Sequence, residues 1–130
     1  MRRSIEVEGL GHGGAPIPQA ALVGPLLISG GISGTDSRTG RIPDAVEDQV
    51  ALIFENIGLI MASAGGSMDD IARITFSARD RSVRAAIDER WLRAFPDAGS
   101  RPARHLVIAD IPSVMKVQGE ILAVLQGGSL

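Results

Sequence analysis

Residues 71–96, IARITFSARDRSVRAAIDERWLRAFP, change their hydrophobic period partway along. Ile74, Phe76 and Ala78 alternate with Arg73, Thr75 and Ser77, the two-residue period of a half-buried strand. Past Asp80, a candidate N-cap, Val83, Ala86, Ile87, Trp91, Ala94 and Phe95 fall on one helical face, and Pro96 stops the helix. A strand that feeds a helix and is followed by two more strands is the pattern of a crossover unit, with helices laid against one face of a sheet.

The same logic extends outward. Ser4 to Val7 alternates in polarity as a first strand, and Gly9 to Pro18 is a Gly/Pro loop. Ala20–Val23 and Leu26–Ser29 flank Gly24-Pro25 as a β-hairpin, and Gly30 to Pro43 is a long connection. Asp44 and Glu47 have capping-box spacing at the start of a helix whose apolar face is Val50, Ile53, Phe54, Ile57, Ile60, Met61 and Ala64; Gly65-Gly66 ends it. Ser67-Met68-Asp69-Asp70 is a second, weaker capping signal. Two final strands, Arg104 to Ala109 and Val117 to Leu125, are joined through Ile111-Pro112. The predicted order is β-β-β-α-β-α-β-β, one α+β domain over residues 1–130.

The last two strands carry apolar residues on both faces: Leu106 and Ile108 against Val107 and Ala109, then Ile121 and Ala123 against Leu122 and Val124. Two helices cover one face of such a sheet, so the second face predicts self-association. The bland alternative is partial exposure of short apolar strands.

Composition excludes several classes. Thirteen basic and fifteen acidic side chains give a net charge of −2, and three Phe, one Trp and no Tyr leave little to stack on bases, so a nucleic-acid partner is not expected. Zero cysteines exclude disulfides, thiolate metal sites and a cysteine nucleophile. Two histidines without HExxH spacing argue against a metal. The longest apolar run, Ala20 to Ile28, is broken by Gly24-Pro25 and is far short of the roughly 18 residues a span requires. The basic N-terminus lacks an apolar stretch behind it, so a soluble cytoplasmic protein without a signal peptide or membrane partner is the expectation.

Gly9-x-Gly11-x-x-Gly14 has dinucleotide-fingerprint spacing, with Asp36 at about the right distance, but Ala15-Pro16-Ile17-Pro18 follows where a helix must begin. It is rejected. Arg104 opens a strand after Pro102-Ala103, a placement suited to bidentate capture of a carboxylate, although an arginine at a strand end is more often, by roughly four to one, an ordinary solvated residue. Gln118 and Glu120 share a face of the last strand, either lining a pocket or forming a satisfied structural pair. His12 lies in a glycine loop, and Ser29 is a strand-end cap or a ligand contact.

These residues occur in an ordered set: Pro16-x-x-Gln19, Leu27-Ile28-Ser29-Gly30, Thr39-Gly40, Glu47-Asp48-Gln49, Glu55-Asn56-Ile57, Ala64 to Asp70, Asp80, Trp91, Phe95, Pro102-Ala103-Arg104, Ile111-Pro112 and Val117 to Val124. The set resembles the Rid (YjgF) family of reactive-intermediate deaminases over nearly the whole chain. The resemblance implies a YjgF-like (chorismate-mutase-like) fold, a mixed sheet with two helices on one face, assembled as a barrel-like homotrimer with intersubunit sites. It implies cofactor-free hydrolysis of imines or enamines, often derived from amino acids, and it matches Arg104 to the family's carboxylate-binding arginine.

Four positions depart from the family pattern. Gln118 replaces a glutamate thought to activate water, Ile17 a frequent tyrosine, Leu106 a frequent cysteine and Asp88 a frequent asparagine. A glutamine orients water but cannot take its proton. Glu120, which matches a second family glutamate, and His12, whose imidazole can accept and donate a proton, are the candidate substitute proton carriers. The leading expectation is deamination of an imine, enamine or unsaturated amino-acid derivative bearing a carboxylate. The alternative is a trimeric carboxylate binder that does no chemistry; ribonuclease and chaperone-like readings have less in their favour.

Overall fold

The computed structural model describes residues 1–112 and 114–126. Seven strands form one mixed sheet: β1 (Arg2–Ile5), β2 (Ala20–Val23), β3 (Leu26–Ser29), β4 (Ile32–Ser33), β5 (Ile71–Ala78), β6 (Ala103–Ile108) and β7 (Val117–Val124). Their spatial order is β1-β2-β3-β7-β5-β6, with β4 pairing β7 beyond the end of β3. Only β5 and β6 run parallel, because helix α2 (Arg84–Ala94) carries the chain from one to the other. Helix α1 (Val46–Ala64) leads from β4 to β5.

Both helices bury their apolar stripes against one sheet face. Ile53, Ile57 and Ile60 of α1 and Ile87 and Trp91 of α2 join Leu27, Ile74, Phe76 and Ile121 in a single core. Each such side chain contributes about 1.5–3 kcal/mol on burial. Phe54, Phe76, Phe95 and Trp91 form a tilted aromatic chain through the helix–sheet seam, with the Trp91 and Phe95 centroids 4.9 Å apart. The two pairs lie on opposite faces as the sequence predicts, and it is Ile121 and Ala123 that face the helices, with Leu122 and Val124 on the other side. Among the described residues no layer covers that face; Val23 and Ile28 are about half exposed there.

Several boundaries differ from expectation. The first strand is Arg2–Ile5 rather than Ser4 to Val7, because the side chain of Gln19 takes the backbone N–H of Val7 at 2.5 Å and ends the ladder with β2. Asp44 is not the N-cap of α1. Ala45 holds that position with no side-chain cap, and Gln49 instead reaches back to the Pro43 carbonyl at 2.8 Å. The C-terminus ends as predicted, with Gly65 at φ 84°, a left-handed position that glycine adopts without strain. Ser67 and Asp70 form the capping box, but around a 3₁₀ turn, Met68–Asp70. Asp80 caps a 3₁₀ turn, Arg81–Val83, that runs into α2. The Ser82 hydroxyl and backbone N–H hold the Asp80 carboxyl below the usual carboxylate range. That cap is therefore complete above the ordinary carboxylate pKa and is lost only as pH falls through the lowered value.

The long connection after β3 hides a short strand. The register on β7 slips by one residue between Ile28↔Leu122 and Ile32↔Gly119, a bulge that would orphan the N–H of Ile121. The Ser29 hydroxyl fills the gap, accepting from Ile121 N at 2.8 Å and donating to the Gly30 carbonyl at 2.8 Å. Ser29→Ala leaves that buried donor unpaired and is expected to cost about 1–3 kcal/mol in urea denaturation; an unchanged midpoint would show the bulge satisfied another way.

Candidate functional site

Three buried amide side chains tie loops to the framework at one end of the sheet. Gln19 accepts from Val7 and donates to the Leu10 carbonyl at 2.7 Å, holding the start of the Gly9–Pro18 loop. Gln49 donates to the carbonyls of Pro43 and Val114 and accepts from Lys116 N at 2.9 Å, holding the approach to β7. Asn56, on the inner face of α1, donates from Nδ2 to the carbonyls of Ser33 and Thr35 at 3.0 and 2.8 Å.

Between these anchored loops lies a cavity of about 400 Å³, within the range of small-molecule sites. Its walls include His12 and Ile17 from the first loop, Asn56 and Ile60 from α1, Met115 and Gln118. Apolar surface predominates, and no lining residue carries a formal charge. Two buried polar atoms have no partner among the described residues, Asn56 Oδ1 and His12 Nε2. A buried acceptor left unpaired costs about 1–3 kcal/mol, so both atoms suit a polar guest. Gln118 projects from the face of β7 opposite α1 and crowds Gly31; a Cβ at Gly31 would overlap its amide. The bulge and its glycine therefore make room for the Gln118 side chain.

The remaining predicted residues lie elsewhere in the chain. Arg104, opposite Ile74 on β6, is on the helix side of the edge strand. Its guanidinium donates to Asp88 at 2.7 Å and sits 5.1 Å from the Trp91 ring centroid, a cation–π contact that fixes the head group's plane. The pair is partly open to solvent, with side-chain exposures of 27% and 51%. Asp88 thus faces the arginine, as its charge suggests it should, and already occupies one of its donors. Leu106 follows on the same face of β6, half-buried against the core. Glu120 and Ser29 border a shallow hollow on the open face, about 130 Å³, together with Arg73 and Thr75. One chain therefore brings together His12, Ile17 and Gln118, pairs Arg104 with Asp88, and keeps Glu120 apart from both groups.

Asn56, Gln19, Ser33 and Thr35 were not singled out for site roles by sequence reading. A polar residue at a core position of the α1 stripe is the signal that marks Asn56. The Gly9–Gly14 segment is loop and turn, as Pro16 and Pro18 just beyond it predict. Asp36 is spent locally on Arg38, whose backbone N–H, chiefly, keeps the carboxyl below the usual range.

Comparison with known proteins agrees with the architecture. A family model described as endoribonuclease L-PSP matches residues 15–125. The chain is 30% identical over 126 residues to TdcF of Escherichia coli K12, described as a candidate reactive intermediate deaminase, covering 95% of this chain and 98% of that one. It is 27% identical, with the same coverage, to a 2-iminobutanoate/2-iminopropanoate deaminase of Salmonella typhimurium. The crystal structure of E. coli TdcF with bound serine superposes with a TM-score of 0.85 at 29% identity, covering 95% of this chain and 99% of that chain. The chain belongs to the endoribonuclease L-PSP family, the YjgF/Rid family that includes reactive-intermediate deaminases.

Proposed function

We propose that the protein hydrolyses a 2-imino acid or its enamine tautomer to a 2-oxo acid and ammonia, in a site shared between subunits of a homotrimer. The observation that carries this reading is the cavity around Gln118 in a chain of this family that also holds a preorganised arginine on the other face of the sheet. At 27–30% identity the relatives support imine deamination as the class of reaction.

Arg104 and Gln118 lie on opposite faces of one sheet, so a site that uses both draws them from two chains. The uncovered face, with Val23, Ile28, Leu122 and Val124, supplies apolar surface for such an assembly. Arg104 then holds the substrate carboxylate. Gln118 orients a water toward the imine carbon. As the water oxygen bonds to that carbon, His12 Nε2 takes its proton, the C=N pair moves to nitrogen, and the imidazolium returns that proton to the nitrogen to give the neutral carbinolamine. The carbinolamine collapses to C=O as its hydroxyl loses a proton and the departing nitrogen gains one, releasing ammonia. His12 is preferred to Glu120 because it lines the same cavity as Gln118. Nothing in this sequence of steps needs a cofactor.

One observation favours the non-catalytic carboxylate binder as a second reading: the Gln118 amide has no basicity. Turnover decides between them. With imines generated by an amino-acid oxidase and trapped by semicarbazide, Arg104-dependent loss of the adduct is expected. Arg104→Ala should lower kcat/KM about thirtyfold or more. Asp88→Asn, which frees an arginine donor, should lower KM by up to about fivefold. A KM raised by Asp88→Asn would instead mean that the carboxylate only holds Arg104 in place.

Gln118→Glu supplies a base beside the water, and kcat should rise about 10²–10⁴-fold if proton removal limits the rate. An unchanged kcat would place the limiting proton transfer elsewhere. Light scattering should give three times the 13.6 kDa chain mass, and Ile28→Glu on the open face should shift it toward the monomer. A monomeric parent protein at micromolar concentration would overturn the shared site.

A further inference from the structure

Asn56 is wholly buried, and the direction of its amide is fixed. Nδ2 is spent on two carbonyls, those of Ser33 and Thr35. Flipping the amide would set Oδ1 against both of those oxygens, so Oδ1 is the atom left over. Asn56 lines the cavity, and its Oδ1 has no partner among the described residues. An amide oxygen only accepts, so its complement is an N–H or O–H donor. The surrounding wall is apolar, through Ile60, Ile32, Leu10 and Met115, and carries no charge to balance an ionic guest.

We propose that this cavity is a side-chain specificity pocket, and that Asn56 Oδ1 selects substrates whose side chain is uncharged and ends in a hydrogen-bond donor, a hydroxyl or a primary carboxamide. The proposal rests on the deaminase reading for what lies at the carboxylate end, and it names which imino acids that reaction takes. A methyl group in the donor's place leaves Oδ1 unpaired, and a carboxylate there meets an acceptor in an uncharged wall. Both are discriminated against by the same atom.

The test uses probes that do and do not require the reaction. Pentanamide and 2-hexanone differ by NH₂ against CH₃ and lack a carboxylate, so neither depends on Arg104. Titrated into ¹⁵N-labelled full-length protein, pentanamide should shift the Asn56 side-chain resonances and bind about tenfold tighter than the ketone. Asn56→Leu should abolish the preference but also removes the bonds to Ser33 and Thr35. Met115→Phe is therefore the second variant; it fills the cavity, leaves those bonds intact, and should abolish pentanamide binding. In turnover, the near-isosteric imines of asparagine, leucine and aspartate should rank asparagine first and aspartate last. Equal binding of amide and ketone, or no binding of either, overturns the pocket. Equal turnover of the asparagine and leucine imines overturns it as well. Hydrolysis of no imine at all defeats the deaminase reading, and the pentanamide titration still decides the pocket.

Discussion

The site depends on the hydrogen-bonding needs of a few amide side chains that water cannot reach. A buried amide must find its partners in the chain, and here those partners are loop carbonyls and N–H groups that would otherwise be unpaired. Gln19, Gln49 and, through Nδ2, Asn56 meet that requirement by tying an irregular segment to the strand–helix framework. The cavity is what remains between the three segments once they are held. Its shape is thus set by directional bonds at its rim, while the apolar core beneath only has to be full.

The sheet imposes the second constraint. Side chains on neighbouring residues of a strand point to opposite faces, and the two helices cover just one of them. Arg104 shares its face with α2, which is why it can lie over Trp91 and reach Asp88. Gln118 is turned the other way because Val117 and Gly119 on either side of it face α1. No rotamer change within one chain reconciles those directions. On the proposed reading, a second chain is needed for catalysis for the same geometric reason that the open face is needed for assembly.

Much of this was legible in the sequence. The period change across residues 71–96, the Gly65 stop and the two-faced last strands led to the right architecture, because hydrophobic periodicity reports burial directly. The errors lie where a side chain bonds to distant backbone. Asp44 has the right spacing for a cap, but spacing cannot reveal that α1 starts one residue later, after Ala45, or that Gln49 bonds back to the Pro43 carbonyl. The strand β4 was missed because two residues carry no period, and Ser29, open in the sequence between a strand-end cap and a ligand contact, uses its hydroxyl to patch a one-residue bulge. The cavity could not be read at all, since its walls come from segments more than a hundred residues apart.

Charge placement gives the site its character. The cavity wall is uncharged, and the nearest candidate for a cationic anchor, Arg104, is already half-committed to Asp88. A guanidinium with one arm engaged still offers a fork to a carboxylate, but the neighbouring anion weakens its hold on a second negative group. Such an arrangement discriminates against substrates with a further negative charge near that end, and the uncharged cavity does the same at the other. Replacing a glutamate by Gln118 removes one more negative charge from the site. The base is lost, and with it the repulsion that a carboxylate there would exert on a 2-imino acid. On the proposed reading, what Gln118 retains is the orienting power of an amide, and the proton leaves through His12.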